Sequence, residues 1–128
     1  MKPPIDAIRL SASEKDLLIR IKRKTGIASW NVLCRWGLLL GVKEGGGSRA
    51  ASQEKRDAIE IRWDTFAGRY SDFLTACITL GHSNAHKKGV ETTVSDFINA
   101  SLSRGIKTLA SQCNNRGLKA LSHLTGPT

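Results

Sequence analysis

The sequence has 128 residues, of which 40% are apolar and 5% aromatic, and its 20 Lys and Arg against 11 Asp and Glu give a formal net charge of +9. A chain of this length buries roughly two thirds of its unfolded surface, which suffices for one hydrophobic core. Its longest apolar run, residues 37–42, is far shorter than the ~20 residues of a membrane-spanning helix, and its first residues lack the apolar region of a signal peptide. We therefore expect a cytoplasmic protein with no membrane association.

The residues that could carry catalysis or bind a metal are few. Cys34, Cys77 and Cys113 are an odd number without the spacing of a zinc site or disulfide framework, which predicts reduced thiols. His82 and His86 are four residues apart, but the neighbouring Gly, Ser and Asn predict a solvated loop there and no metal site. No nucleophile has an assignable base nearby. The sequence therefore predicts no enzyme, no cofactor and no metal.

The first predicted elements are a short extended segment over residues 5–10 and a helix over residues 13–24. Ser13 is the predicted N-cap, with Asp16 as the acidic member of a capping box, and Gly26 is expected to end the helix. One side of this helix is apolar and consists of Leu17, Leu18 and Ile21. The opposite side is basic and consists of Lys15, Lys22 and Arg23. We therefore expect one side to pack and the other to face solvent.

The second predicted helix, residues 29–42, carries only one charge, Arg35. A helix that is apolar nearly all round must be buried nearly all round, so we interpret it as a helix that contacts another subunit. A stripe of small residues at three- and four-residue spacing would let a second backbone come close. The alternative is a central core helix within one subunit. The predicted subunit contact consists of Trp30, Cys34, Gly37 and Gly41.

The remaining chain predicts one flexible loop, one strand and two further helices. Residues 43–52 are rich in Gly and Ser and predict a surface loop, after which residues 58–63 predict a short strand. Helices are expected over residues 67–80 and 93–111. The predicted organisation is therefore a domain over residues 1–111 and a basic tail with a frayed helix over 112–128.

The positive charge is concentrated at the two ends of the sequence. The net charge is +6 over residues 1–49, −1 over residues 50–96 and +4 over residues 97–128. Such a surface attracts nucleic acid, anionic membrane or acidic protein. Nucleic acid is favoured because no basic segment has the bulky apolar face that membrane insertion requires.

Three blocks in the same order resemble the DndE family, the small component of the bacterial DNA phosphorothioation machinery. The blocks are IRLS-x6-LIRIKRKTGI-x2-WNVLCRWGL at residues 8–38, IEIRWDTFAGRYSD at 59–72 and SLSRGIKTLA at 101–110. The resemblance spans roughly residues 5–110. It implies a mainly helical subunit, with a short strand before a helix pair, related to ribbon-helix-helix proteins. It also implies a homo-oligomer, a tetramer, which binds double-stranded DNA with a preference for nicked duplex and acts with other phosphorothioation components.

The resemblance carries the family's DNA-binding lysines onto Lys15, Lys22 and Lys24. We add Arg9, Arg20 and Arg23 as further cations of the same segment, so the complete predicted DNA-binding set is Arg9, Lys15, Arg20, Lys22, Arg23 and Lys24. Contacts from Lys and Arg to phosphate give affinity without reading sequence.

Two alternative functions stay open. A ribbon-helix-helix transcriptional repressor would use the same first 42 residues as a dimeric operator reader. Its outward strand residues would be Ala7 and Arg9, which are a poor set for reading bases. The second alternative is an assembly adaptor that holds the modification enzymes together.

Overall fold

The computed structural model describes residues 2–46 and 53–116, with the backbone alone for residues 114–116. These residues are mainly helical, as predicted. In chain order the elements are β1 (Ala7–Leu10), α1 (Ala12–Thr25), α2 (Trp30–Lys43), β2 (Ile59–Arg62), α3 (Trp63–Ala67), a 3₁₀ turn (Gly68–Tyr70), α4 (Ser71–Lys87) and α5 (Val94–Arg116). The two strands form a two-stranded antiparallel sheet. Within the described residues, every helix falls short of the length and apolar character that crossing a bilayer requires.

The start of α1 differs from the prediction. Ser11, not Ser13, is the N-cap, because its hydroxyl accepts a hydrogen bond from the Glu14 backbone N–H at 3.2 Å. Glu14 in turn accepts one from the Ser11 backbone N–H at 3.0 Å, which completes the capping box. The predicted pair of Ser13 and Asp16 is therefore wrong. Gly26 ends the helix as predicted, with φ at +73°.

A buried ion pair fixes α1 to the rest of the molecule. The Glu14 carboxylate accepts a hydrogen bond from Arg56, and the side chains are 0% and 5% exposed. Arg56 also donates to the backbone carbonyls of Arg9, at 3.3 Å, and Asn99, at 3.0 Å. Breaking a buried pair leaves an uncompensated charge. Arg56 therefore holds β1, α1 and α5 in a fixed arrangement.

The core lies between α1, α2 and α5 and is closed by α3 and α4. Trp63, at the start of α3, is buried and donates its indole N–H to the Ser71 hydroxyl at 2.8 Å. Its ring lies 5.6 Å from that of Phe66. The other large side chains with almost no exposed surface come from all layers and include Ile8, Leu10, Leu18, Ile21, Leu33, Leu38, Leu74, Ile78, Ile98, Leu102, Ile106 and Leu109.

The backbones of α2 and α5 touch where both helices have glycine. A Cβ atom on Gly41 would overlap the Ser101 carbonyl oxygen, and one on Gly105 would overlap the Gly37 carbonyl oxygen. Cys34 is fully buried on the same helix. The small-residue stripe therefore receives α5 of its own chain, and the prediction that Cys34, Gly37 and Gly41 contact another subunit is wrong. The alternative of a central core helix describes α2 better.

The predicted strand at residues 58–63 is confirmed as β2, which pairs with β1 so that Ala7 lies opposite Arg62 and Arg9 opposite Glu60. Ala7 is only 4% exposed, so the expectation that it points outward is wrong. The strand partner lies in the same chain. The likeness to ribbon-helix-helix proteins stays a prediction.

The two C-terminal helices are longer than predicted. A 3₁₀ turn precedes α4, which then continues to Lys87, so His82 and His86 lie on a helix and the predicted loop there is wrong. Gly81 lets this part of α4 pack closely against α2 and α5, because a Cβ atom at this position would crowd Val42 and Phe97. α5 continues past residue 111, and Cys113 is buried in the core.

The glycine-rich loop is described only at its beginning. Gly45 and Gly46 adopt φ of +89° and +88°, which side chains rarely adopt, so glycine is suited to the turn after α2. The rest of the predicted loop, residues 47–52, and the predicted tail from residue 117 lie outside the described residues.

Candidate nucleic-acid interface

The solvent side of α1 carries a group of exposed cations. Leu18 and Ile21 turn one side of the helix into the core, together with the capping carboxylate of Glu14. Side chains on the other sides of the helix therefore project into solvent. The exposed cations of α1 are Lys15, Arg20, Arg23 and Lys24.

Three of these cations have their charge available for a ligand. Within residues 2–46 and 53–116, Lys15, Arg20 and Arg23 take part in no ion pair, whereas Arg9, Lys55, Arg56 and Arg104 each do. An exposed cation can approach a phosphate oxygen with little loss of solvation. We call the set of Lys15, Arg20, Arg23 and Lys24 the α1 basic face.

Lys22 and Lys24 lie at the two flanks of this face. The Lys22 ammonium is 4.5 Å from the centroid of the Trp30 ring, a cation–π distance, at the start of α2. Burial raises the pKa of the Cys113 thiol on α5, and the positive charge of Lys24 opposes that rise. The α1 basic face therefore adjoins the start of α2 through Lys22.

Arg9 stands apart from the α1 basic face. Its Nε donates to the Glu60 carboxylate at 2.9 Å, and its two terminal nitrogens each donate to Asp6 at 3.3 Å. Hydrogen bonding and the charge of Arg9 lower the pKa of Asp6, so the Asp6 carboxylate stays ionised at neutral pH. Two acidic partners thus surround this predicted DNA-binding residue.

An open groove of about 610 Å³ lies beside Lys22, between the first turn of α2 and β2. Trp30 forms part of its wall, and all four residues of β2 line it. Arg62, at the end of β2, is exposed. We call this the Trp30 groove.

A second groove of about 290 Å³ is mostly apolar and lies between α2 and α4. Phe73 and Tyr70 are 58% and 41% exposed on its α4 side. Arg35, between the two helices, donates to the Phe66 carbonyl at 2.7 Å and lies 5.2 Å from the Tyr70 ring. We call this the Phe73 groove, and its apolar walls are Val32, Trp36, Leu39, Tyr70, Phe73 and Leu74.

Cys34 and His82, whose side chains could act as nucleophile or metal ligand, are engaged in the packing of the fold. Burial raises the pKa of the Cys34 thiol to about 12, so this thiol is protonated at neutral pH. A ring nitrogen of His82 lies 2.6 Å from the Thr92 carbonyl oxygen, and the ring contacts Phe97 edge-on. The part of the chain that the structure describes contains no group of three or more His, Cys, Asp or Glu side chains placed to hold a metal ion.

The structure brings together most of the residues that the sequence nominated for DNA. Lys15, Arg20, Arg23 and Lys24 are exposed around the solvent side of α1, and Lys22 contacts Trp30. Sequence reasoning missed the contact of Lys22 with Trp30, which it had placed in a subunit interface. The signal was a lysine in the last turn of one helix and a tryptophan in the first turn of the next, with a tight glycine turn between them.

The comparisons with known proteins agree with the resemblance seen in the sequence. The model of the family DndE, described as DNA sulphur modification protein DndE, matches residues 7–117. The match begins at β1 and includes every helix and strand that the structure describes. No curated protein and no solved structure matches the chain.

Proposed function

The chain belongs to the DndE family of DNA sulphur modification proteins, and on this premise we propose that it is the non-catalytic subunit that binds double-stranded DNA for phosphorothioation. One observation carries the proposal: the α1 basic face presents four exposed cations on a single rigid helix. Spatially fixed Lys and Arg side chains that neutralise phosphates provide affinity for any DNA sequence.

The side chains around this face favour binding to phosphate over reading of bases. Recognition of base edges needs Arg, Asn or Gln aimed into a groove from a presented helix or ribbon. In β1, Ala7 is buried and Arg9 is held by Asp6 and Glu60. This arrangement supports a phosphate-binding subunit over the alternative of an operator-reading repressor.

Preference for nicked duplex follows from deformability in this proposal. A nick interrupts stacking in one strand, so the duplex bends at a lower energetic cost. A homo-oligomer, proposed to be a tetramer, presents several α1 basic faces and draws DNA onto them by bending it. The Phe73 groove supports self-association, because single subunits rarely leave large aromatic side chains exposed beside an apolar groove. The other phosphorothioation components are its proposed protein partners.

A competition titration tests the function. Labelled duplex bound to the protein is displaced by unlabelled intact or nicked duplex of identical sequence, and then by nicked duplex of an unrelated sequence. We expect both nicked competitors to be equally effective and better than the intact one. The strands should keep their lengths when magnesium, manganese or zinc is added. A preference of about a thousandfold for one intact sequence would instead indicate a repressor.

A further inference from the structure

The Trp30 groove adjoins the α1 basic face and has its own chemistry. Its volume of about 610 Å³ lies within the roughly 300–1,000 Å³ that small-molecule sites occupy. One wall holds the Trp30 indole, and the opposite wall holds Ile59 and Ile61, which are partly buried. The groove therefore has apolar and aromatic walls suited to a flat ring.

The charges around this groove favour an anionic ligand. Arg62 lines the groove and is exposed, whereas Lys22 lies outside the lining, with its ammonium over the Trp30 ring at 4.5 Å from the centroid. Glu60 also lines the groove, but its carboxylate is paired with Arg9 at 2.9 Å. A phosphate beside Arg62, or beyond Trp30 near Lys22, would thus meet a positive charge.

Backbone groups of β2 can supply hydrogen bonds in the groove. The lining includes every residue of β2 and none of β1, so the groove follows the edge of β2 that β1 leaves open. In the described residues the sheet has only these two strands. Alternate residues of an antiparallel strand direct N–H and C=O away from the paired neighbour. These groups are donors and acceptors for the edge of a base.

We infer that the Trp30 groove binds one nucleotide that has left the base stack at a nick, with its base against Trp30 and its flanking phosphates at Lys22 and Arg62. This inference rests on the proposed function and adds the residues that recognise the nick. Aromatic stacking tolerates any base, since every base has a π-face. The α1 basic face binds the duplex, and the groove distinguishes nicked from intact DNA.

Paired substitutions at Trp30 test the inference. Trp30→Leu keeps an apolar side chain and removes the stacking surface, whereas Trp30→Phe keeps an aromatic ring. We expect Trp30→Leu to lower affinity for nicked duplex by about five- to 150-fold, the range for one base on an aromatic side chain, until it equals the affinity for intact duplex. Affinity for intact duplex should stay constant, and Trp30→Phe should retain the nick preference. Thermal unfolding of both variants checks the fold.

A crosslinking experiment on the wild-type protein gives an independent measurement. A 5-iodouracil base at the nick is irradiated in the complex, and the modified residue is identified by mass spectrometry. We expect the label on Trp30, and none when the same base lies within intact duplex. If the wild type binds nicked and intact duplex equally, the proposed function and this inference both fail. If it prefers nicked duplex while Trp30→Leu keeps that preference and the label lies elsewhere, this inference alone fails.

Discussion

Glu14 shows how one buried residue sets the direction of the exposed ones around it. Its carboxylate caps α1 at Ser11 and pairs with Arg56, 42 residues away in sequence. The sequence contains two overlapping candidate caps, Ser11 with Glu14 and Ser13 with Asp16, and only the first has the Glu or Gln that a capping box requires at its third helical position. The tertiary structure adds the distant Arg56, which it places beside Glu14.

The α1 basic face is testable by removing the three cations that take part in no ion pair. We expect the combined change of Lys15, Arg20 and Arg23 to Gln to weaken binding to all duplexes. The slope of log affinity against log salt should fall in magnitude by up to about 2.7, at about 0.9 per lost phosphate contact. Stability should change by no more than about 0.5 kcal/mol, because the side chains are exposed. Titrations at several salt concentrations measure the slope.

The matched control removes the same charge elsewhere. Lys55, Lys87 and Lys88 are exposed and lie outside α1, so changing them to Gln preserves the α1 basic face. We expect this control to keep the wild-type salt slope. Equal losses in the two variants would show that net charge alone attracts DNA, and an unchanged slope in the α1 variant would place the DNA surface elsewhere.

At the scale of elements, the sequence predicted the helices and strands well and the partner of α2 poorly. A stripe of small residues indicates that another backbone comes close, but it does not say which one. The backbone that approaches the stripe belongs to α5, where Ser101 and Gly105 are also four residues apart and face the stripe. The apolar circumference of α2 is explained by α5, α3 and α4, which pack around it.

The contact between α2 and α5 makes a prediction about stability. Gly41→Ala should lower the free energy of unfolding by about 3 kcal/mol, because the new methyl group would overlap the Ser101 backbone of a packed helix. Gly37→Ala is the matched control on the same helix. Its methyl group would meet mainly the Ile106 side chain, with Cγ1 at 3.0 Å, and Ala favours the helix by about 1 kcal/mol.

Urea unfolding of the two variants measures the difference. We expect Gly37→Ala to remain within about 1 kcal/mol of the wild type. Equal stability of Gly41→Ala and the wild type would contradict the close contact of the two backbones. The result would also return the small-residue stripe to consideration as a subunit contact.

At the scale of the whole molecule, the fold joins what the sequence separates. α1, in the basic first part of the chain, packs on α5, whose described residues from 97 onward belong to the basic last part. The sequence showed that both of these parts are positive, but not that their helices pack together. It could not show the Phe73 groove, because Phe73 and Tyr70 fit the apolar pattern of a buried helix face and yet remain exposed.

The last prediction connects this apolar groove to DNA binding. If the proposed homo-oligomer forms through the Phe73 groove, Phe73→Lys places a charge in the contact and should separate the subunits. Each monomer keeps its own α1 basic face, but joining several such faces in one body raises affinity by about 10²- to 10⁴-fold through effective concentration. DNA affinity should therefore fall by that range although every cation of the face is intact.

Val90→Lys, at a residue that is 52% exposed and outside the groove, is the control. Sedimentation and DNA titration on the same samples decide between the outcomes: a folded Phe73→Lys monomer with full affinity would separate assembly from binding, and an unchanged oligomer would place the subunit contact elsewhere.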